Sequence, residues 1–231
     1  MARPTIFPGL GPILGVVLAG GLSRRFGGEE KALVALDGVS LLERVIARAR
    51  PQVDHLILNA NGDPARFAFT GLAVVADAFP GHRGPLAGLL AGLDHAAAAV
   101  PGCRWVATFP VDSPFLPRDL VARLAGVVGV GGRPAIAVAG RRRHPVVGLW
   151  PLALRDELRG LLGGGGPAAV GDFATACGAR AARFEGAALD PFLNVNRPRD
   201  VARARALLRG SDGALSPRPR ASRARGRSRR C

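Results

Sequence analysis

Cysteine is scarce in this chain, and the few cysteines stand apart from other metal ligands. There are three in 231 residues, at positions 103, 177 and 231, with no CxxC motif and no histidine-rich segment near them. This spacing argues against a disulfide framework and against a zinc site, and it is typical of proteins in a reducing cytosol. We therefore predict a cytoplasmic protein without structural cross-links.

Long hydrophobic runs are also missing. The apolar stretch at residues 13–19 is at the short limit for a signal peptide, and prolines and glycines interrupt the residues before it. No run approaches the length of a membrane span, so the sequence predicts no membrane partner. Hydrophobic residues nevertheless make up 48% of the chain, which is enough for the core of one α/β domain.

Acidic residues are few, with 17 against 32 basic ones, and the formal net charge is +15. The segment 210–231 carries seven arginines and one acid, and without it 25 basic and 16 acidic residues leave a net charge of +9. A basic body suits a polyanionic substrate such as a nucleoside triphosphate, but it also suits nucleic acid. Arginine supplies 31 of the 32 basic residues, within a wider preference for alanine, glycine and proline, so the overall charge carries little weight.

The arginine-rich tail offers a function of another class. Residues 218–230 contain no apolar residue larger than alanine and no aromatic side chain for base stacking. We therefore predict a disordered tail and no sequence-specific binding of nucleic acid. If the protein were instead a nucleic-acid-binding protein, its affinity would fall steeply with salt and vanish on removal of residues 210–231.

The most informative segment lies at residues 15–31, which read GVVLAGGLSRRFGGEEK. It is an apolar run that opens into a glycine-rich, arginine-bearing loop. Glycines let backbone N–H groups approach an anion closely, and basic side chains neutralise its charge, so the loop predicts phosphate binding. The patterns GxxxxGK[ST] and GxGxxG are both absent, which removes the main support for a P-loop kinase or a Rossmann dehydrogenase.

Apolar runs alternate with helix-like segments, which predicts a parallel sheet covered on both faces. We expect strands at residues 14–18, 55–59, 72–76, 105–109, 135–139 and 146–150, and helices at 41–50, 85–100, 117–126, 152–162 and 201–208. In such sheets ligands bind at the carboxyl ends of the strands. Polar groups follow four of the expected strands, so the sequence predicts one shared, nucleotide-sized site.

The residue types at these strand ends suggest separate roles. Lys31 and Arg25 are the expected triphosphate ligands, because phosphoryl or nucleotidyl transfer would need charge neutralisation around the reacting phosphorus. Asp112 follows an apolar strand and is a natural Mg²⁺ ligand, although a turn aspartate would look the same. Asn59 suits a base edge or a ribose, and Asp77 is either a nucleotide ligand or a turn residue.

Several motifs together resemble those of one family. The loop resembles the signature LAGGxSxRMGxxxK of nucleotidyltransferases with a Rossmann-like fold, with Phe26 in place of its methionine. Further motifs follow in that group's order over roughly residues 13–208: NAN at 59–61, Asp77, GPLAG at 84–88, PVDSP at 110–114, HP at 144–145 and NVN at 194–196. Within the group the chain most resembles the molybdenum cofactor guanylyltransferases, the MobA-type enzymes.

The resemblance implies a three-layer, Rossmann-like α/β fold with a mostly parallel central sheet. It implies transfer of GMP from GTP to the phosphate of molybdopterin, or its molybdenum form, with Mg²⁺ as cofactor. The catalytic residues would be Arg25, Lys31 and Asp112, and Asp112 would be the metal ligand. Substrate binding would involve Leu18, Ala19, Gly20, Gly21, Lys31, Asn59, Asp77, Gly84, Pro85, Leu86, Asp112, Asn194 and Asn196.

The resemblance also implies how the chain is organised. An extension (residues 1–12) would precede a single domain (13–209) and the tail (210–231). The domain would have a nucleotide half, about 13–125, and an acceptor half, about 126–209. We expect a monomer that works with proteins that deliver the cofactor.

The acceptor side is the half in which the chain departs most from the family. His144 would lie there, and the arginines at 141–143 would either attract phosphate or form a solvated loop. Residues 167–171 read PAAVG where the family often carries a basic pair, which puts the acceptor in doubt. The rivals are a sister enzyme that uses CTP on the same pterin and a sugar-phosphate nucleotidyltransferase. The GPLAG, HP and NVN combination favours the guanylyl enzyme.

Overall fold

A computed structural model describes residues 6–7, 9–20, 31–79, 84–129, 131–164, 169–184, 190–197 and 199–205. Gly21 and Arg25 of the predicted site lie outside these residues, as does the predicted tail. The described helices include none that is both long enough and apolar enough to span a bilayer.

Strands and helices alternate through most of the described chain. The strands are β1 (Ile13–Leu18), β2 (Ala35–Leu36), β3 (Val39–Ser40), β4 (His55–Asn59), β5 (Ala73–Val75), β6 (Trp105–Pro110), β7 (Ala135–Ala139), β8 (Arg142–Pro151) and β9 (Arg180–Phe184). The α-helices are α1 (Leu41–Ala49), α2 (Pro85–Ala99), α3 (Leu120–Val128), α4 (Arg155–Gly163) and α5 (Val170–Ala176). Residues 199–205 are also helical.

The central sheet has seven strands in the order β5-β4-β1-β6-β8-β7-β9. Pairing is parallel between β5 and β4, β4 and β1, β1 and β6, and β7 and β9. Strand β8 alone runs antiparallel to its neighbours, β6 and β7. The prediction of a mostly parallel sheet is therefore confirmed. The exception matters, because the first residues of β8 lie at the edge where the parallel strands end.

Helices cover both faces of the sheet, as the alternation of side chains along β1 requires. Ile13 and Val17 belong to a core cluster shared with α1 and α3. Leu14 and Val16 point the other way, into a cluster shared with α2, α4 and α5. All four are fully buried, so β1 is the continuous apolar run expected of a strand in the middle of a three-layer α/β fold.

The predicted start of α3 was wrong, because a side chain from another element caps this helix. We expected it to begin at Pro117, but it begins at Leu120. The buried Gln52 side chain accepts a hydrogen bond from Val121 N (3.0 Å) and donates one to Pro117 O (3.0 Å). Gln52 thus satisfies one of the free N–H groups at the helix start and holds the preceding residues in a turn.

The second half of the chain departs most from the predictions. Strand β8 begins at Arg142, four residues before the expected strand, so Arg142 and Arg143 are strand residues and not a solvated loop. Because both residues are charged, the sequence pattern did not indicate a strand here. The strand forms because β7 pairs with both residues. Helix α4 begins at Arg155 after a 3₁₀ turn, and α5 and β9 were not predicted. Both are short and lack a strong apolar period.

Candidate active site

The ends of several strands meet around one cavity of about 420 Å³. Residues after β1, β4, β5 and β6 line it, together with the first residues of β8. The predicted site residues that line it are Leu18, Ala19, Gly20, Lys31, Asn59, Asp77, Gly84, Pro85, Asp112 and Asn194. The structure therefore brings together residues that are separated by more than 170 positions in sequence.

Lys31 stands at the centre of the polar part of this cavity. Its Nζ donates to Asp112 Oδ2 at 2.7 Å and also to Asn196 Oδ1. The side chains of Lys31 and Asp112 are only 20% and 19% exposed, so this ion pair is partly shielded from water. Lys31 is also the sole lysine in the sequence. One amino group thus joins the strand end of β6 to the NVN segment.

Four hydrogen bonds hold the NVN segment in place. Val195 N donates to Asp112 O at 2.8 Å, and the side chain of Asn194 accepts from Ser113 Oγ at 2.9 Å. Asp200 Oδ2 accepts from the backbone N–H groups of Asn196 and the following residue, both at 2.9 Å. Sequence reasoning missed Asp200, although an acid just before an expected helix is a usual start signal.

One oxygen of Asp112 is available to a cation. Its Oδ1 is buried and has no hydrogen-bond partner among the described residues, whereas Oδ2 is engaged by Lys31. The described residues contain no cluster of three His, Cys, Asp or Glu side chains that could hold a metal ion. A single carboxylate is consistent with a metal that substrate phosphates also bind, which is the usual mode for Mg²⁺.

Asn59, Asn61 and Asp77 form a hydrogen-bonded network at the ends of β4 and β5. Asn59 Nδ2 donates to Asp77 Oδ1 (2.9 Å) and to Val75 O (3.1 Å), and Asn61 Nδ2 donates to Asp77 Oδ2 (2.7 Å). The backbone N–H of Asp77 donates in turn to Asn61 Oδ1 at 2.9 Å. Both amide donors are thus directed to Asp77, whose carboxylate lies beside Gly20 and is held in one orientation.

The GPLAG segment brings α2 close to this network. Gly84 has φ of 73° and precedes Pro85, the first residue of the helix. A β-carbon on Gly88 would lie 2.2 Å from Asn59 Oδ1, so only glycine lets the helix approach this closely. Leu86 is fully buried in the apolar core beneath α2 and does not line the cavity.

The first residues of β8 line the opposite side of the cavity. Arg142 and Arg143 are exposed, and His144 is buried with its ring 4.7 Å from the Phe192 ring. His144 Nε2 lies 3.8 Å from Asp190 Oδ1 and has no hydrogen-bond partner among the described residues. Burial lowers the pKa of His144, while Asp190 opposes this shift. The ring therefore stays neutral at neutral pH.

Known proteins agree with this architecture. Residues 15–177 match the model of the MobA-like NTP transferase domain. A molybdenum cofactor guanylyltransferase of Nitrobacter hamburgensis is 50% identical over 198 residues, which cover 85% of this chain and 94% of that protein. The match of the family model and the extent of this identity show the family.

Solved structures share the fold. Molybdopterin-guanine dinucleotide biosynthesis protein A of Archaeoglobus fulgidus has a TM-score of 0.65 at 20% identity, and the match covers 86% of this chain and 99% of that chain. A Mycobacterium tuberculosis protein crystallised in complex with manganese has a TM-score of 0.58 at 20% identity, with 83% and 97% covered. The chain is a nucleotidyltransferase, and it belongs to the MobA-like NTP transferase family and, within it, to the molybdenum cofactor guanylyltransferases.

Proposed function

We propose that this protein transfers GMP from GTP to the phosphate of molybdopterin, or of its molybdenum form, and releases pyrophosphate. The observation that carries the proposal is the cluster in which Lys31 Nζ donates to Asp112 and Asn196 beside the cavity. A cation, a carboxylate and an amide in contact support a site at which the reacting phosphates of the two substrates would meet. The family relationship supplies the identity of those substrates.

GTP would bind across the ends of β1, β4 and β5. The backbone of Leu18, Ala19 and Gly20 would face the nucleoside and phosphates, and Asp77 would accept hydrogen bonds from donors on the nucleotide. The role expected for Asn59 changes, because its amide donor is used by Asp77 and Val75. Asn59 would therefore act through Asp77, whose carboxylate it orients.

A divalent cation would bind at Asp112. The buried Oδ1 of this residue fits a cation ligand, and the fold accommodates manganese in one mycobacterial protein. We propose Mg²⁺ as the physiological ion, held by Asp112 with the amide oxygens of the NVN segment nearby. When bound, it would neutralise negative charge on the phosphates around the reacting phosphorus.

The transfer needs mainly two contributions from the protein, which are the positioning of the two substrates and the neutralisation of their phosphate charges. An oxygen of the acceptor phosphate attacks the α-phosphorus of GTP and forms a new P–O bond. The bond from that phosphorus to the oxygen shared with the β-phosphate breaks, and its electron pair leaves with pyrophosphate. A phosphate monoester is already ionised near neutral pH, so no strong base is required. Lys31 would stabilise the leaving phosphates, and Arg25, which lies outside the described residues, would do the same.

Other parts of the proposal rest on the sequence. We propose that the enzyme is a monomer. We also propose that it is cytoplasmic, because the scattered cysteines suit a reducing compartment. We also retain the division into an extension (1–12), one domain (13–209) and a tail (210–231), and proteins that deliver the cofactor as partners. A cytidylyltransferase is the second candidate, but the curated relative at 50% identity is a guanylyl enzyme.

The test is transfer of labelled nucleotide from GTP, CTP, ATP or UTP to molybdopterin, with Mg²⁺ and the full chain. We expect GTP to be the preferred donor and Asp112→Asn to lower turnover at least about 100-fold, because the charge next to the reacting phosphorus is lost. Asp119→Asn is the control, since Asp119 is an exposed aspartate paired only with Arg123 among the described residues. Preference for CTP, or full activity of Asp112→Asn, would contradict the proposal.

A further inference from the structure

The antiparallel direction of β8 brings positive charge to the active site. The last pair between β6 and β8 joins Thr108 to Gly148. Residues 142–144 of β8 pair only with β7, beyond the point where β6 and β8 separate. The start of an antiparallel strand lies beside the carboxyl ends of its parallel neighbours. Arg142 and Arg143 therefore line the same cavity as Asp112.

The described cationic side chains that line this cavity differ in the protein groups that they already contact. Lys31 is engaged by Asp112 and Asn196. Arg142 has its Nη1 4.0 Å from Asp190 Oδ2, so a carboxylate partly balances its charge. Arg143 is exposed and forms no ion pair with any residue that the structure describes. Of the three described cations that line the cavity, Arg143 has the charge most available to a ligand.

The segment before α5 adds no basic side chain to this part of the cavity. Helix α5 packs beside β8, where a β-carbon on Gly171 would lie 3.7 Å from Pro145 Cγ. The segment that leads into this helix, residues 164–169, reads GGGPAA and contains no charged side chain. Among the described residues that line this side of the cavity, the cations are Arg142 and Arg143, both on β8.

We propose that Arg143 binds the phosphate monoester of the acceptor and sets the affinity for that substrate. The inference rests on the proposed function, in which the acceptor phosphate must approach the negatively charged α-phosphate of GTP. A guanidinium forms charge-assisted, two-pronged hydrogen bonds with a phosphate, and this holds the attacking oxygen in place. Arg143 is thus a specificity residue for the acceptor and not for the nucleotide.

The experiment compares the Arg143→Ala and Arg143→Lys variants with the full-length wild type. Arg141→Ala is the matched control, because Arg141 is an exposed arginine of the adjacent turn that does not line the cavity. Two dissociation constants are measured without turnover, for molybdopterin from its pterin fluorescence and for a fluorescent GTP analogue with Mg²⁺. GMP transfer by the wild type is measured in parallel.

We expect Arg143→Ala to weaken molybdopterin binding about 10- to 100-fold, the range for loss of a hydrogen bond to a charged group. The affinity of Arg143→Ala for the GTP analogue should stay within about twofold of the wild-type value. Arg143→Lys should lose less molybdopterin affinity than Arg143→Ala, and Arg141→Ala should bind both ligands as the wild type does. Unchanged molybdopterin affinity in Arg143→Ala, with active wild type, would overturn this inference and leave the proposed function standing. A wild type that binds GTP but neither binds molybdopterin nor transfers GMP would overturn both.

Discussion

Replacing Gly88 by alanine tests how closely α2 must approach the nucleotide side of the site. An alanine β-carbon would lie 2.2 Å from Asn59 Oδ1 and 2.7 Å from Leu18 Cδ2. Asn59 is 2% exposed, and its amide is bound to Val75 O and Asp77 Oδ1. The side chain therefore cannot move away without breaking hydrogen bonds inside the protein.

The balance of terms favours destabilisation. Overpacking of a well-packed site costs about 1–3 kcal/mol, and a buried amide left without its partners costs about 1–3 kcal/mol. Alanine has a better helix propensity than glycine by about 1 kcal/mol, which opposes these costs. We expect Gly88→Ala to lower the free energy of unfolding by about 1–5 kcal/mol, and to weaken GTP binding because Asp77 loses a donor.

The control is Gly160→Ala, in the exposed part of α4, where a β-carbon would meet nothing within 4 Å. This variant gains helix propensity without a clash, so its unfolding free energy should rise by about 0.5–1 kcal/mol. Urea unfolding of both variants, followed by titration with GTP, measures the two effects. If Gly88→Ala were as stable as Gly160→Ala and bound GTP normally, the close packing of α2 on Asn59 would be refuted.

Two further predictions concern the polar groups of the cavity. Lys31→Arg should lower turnover by about 100-fold although the positive charge is kept. The planar guanidinium group of arginine cannot reproduce the position of the lysine amino group between Asp112 and Asn196. Turnover equal to that of the control variant Arg104→Lys, at an exposed arginine, would contradict this. The folded-state pKa of His144 is lowered by burial, so its contribution to stability is present above pH 6.5 and is lost as the pH falls. Urea unfolding between pH 5 and 7.5 should therefore show that His144→Gln loses less stability at low pH than the wild type does. An equal loss in the two proteins would show that protonation of His144 does not cause the loss of stability.

The first half of the fold was predictable because each strand is an apolar run followed by a polar turn. Strand β4 has the predicted limits, His55 to Asn59, and α2 differs from the predicted helix by one residue. These segments are decided by local pattern, since an apolar run buried on both faces has few alternatives. Most of the predicted site residues line one cavity for the same reason, because they stand where the strands end.

Features that depend on contacts between distant segments could not be predicted. The start of α3 depends on Gln52, which caps it from 69 positions away in sequence. The three consecutive arginines before His144 resemble a loop, but β7 pairs with the last two, Arg142 and Arg143. Likewise, Asn59 has the chemistry to read a base, and only the placement of Asp77 shows that its amide is used internally. In each case a tertiary partner overrides the local preference.

The charges in the cavity explain why both substrates require further cations. Among the described lining residues, Lys31, Arg142 and Arg143 are cationic, and Asp77 and Asp112 are anionic. The excess is one positive charge, whereas a triphosphate and a phosphate monoester together bring several negative ones. Uncompensated charge in a partly water-excluded site is costly. One net positive charge among these lining residues is too little to balance both substrates. The nucleotide should therefore arrive with its own divalent cation, and the glycine-rich loop should supply the remaining charge.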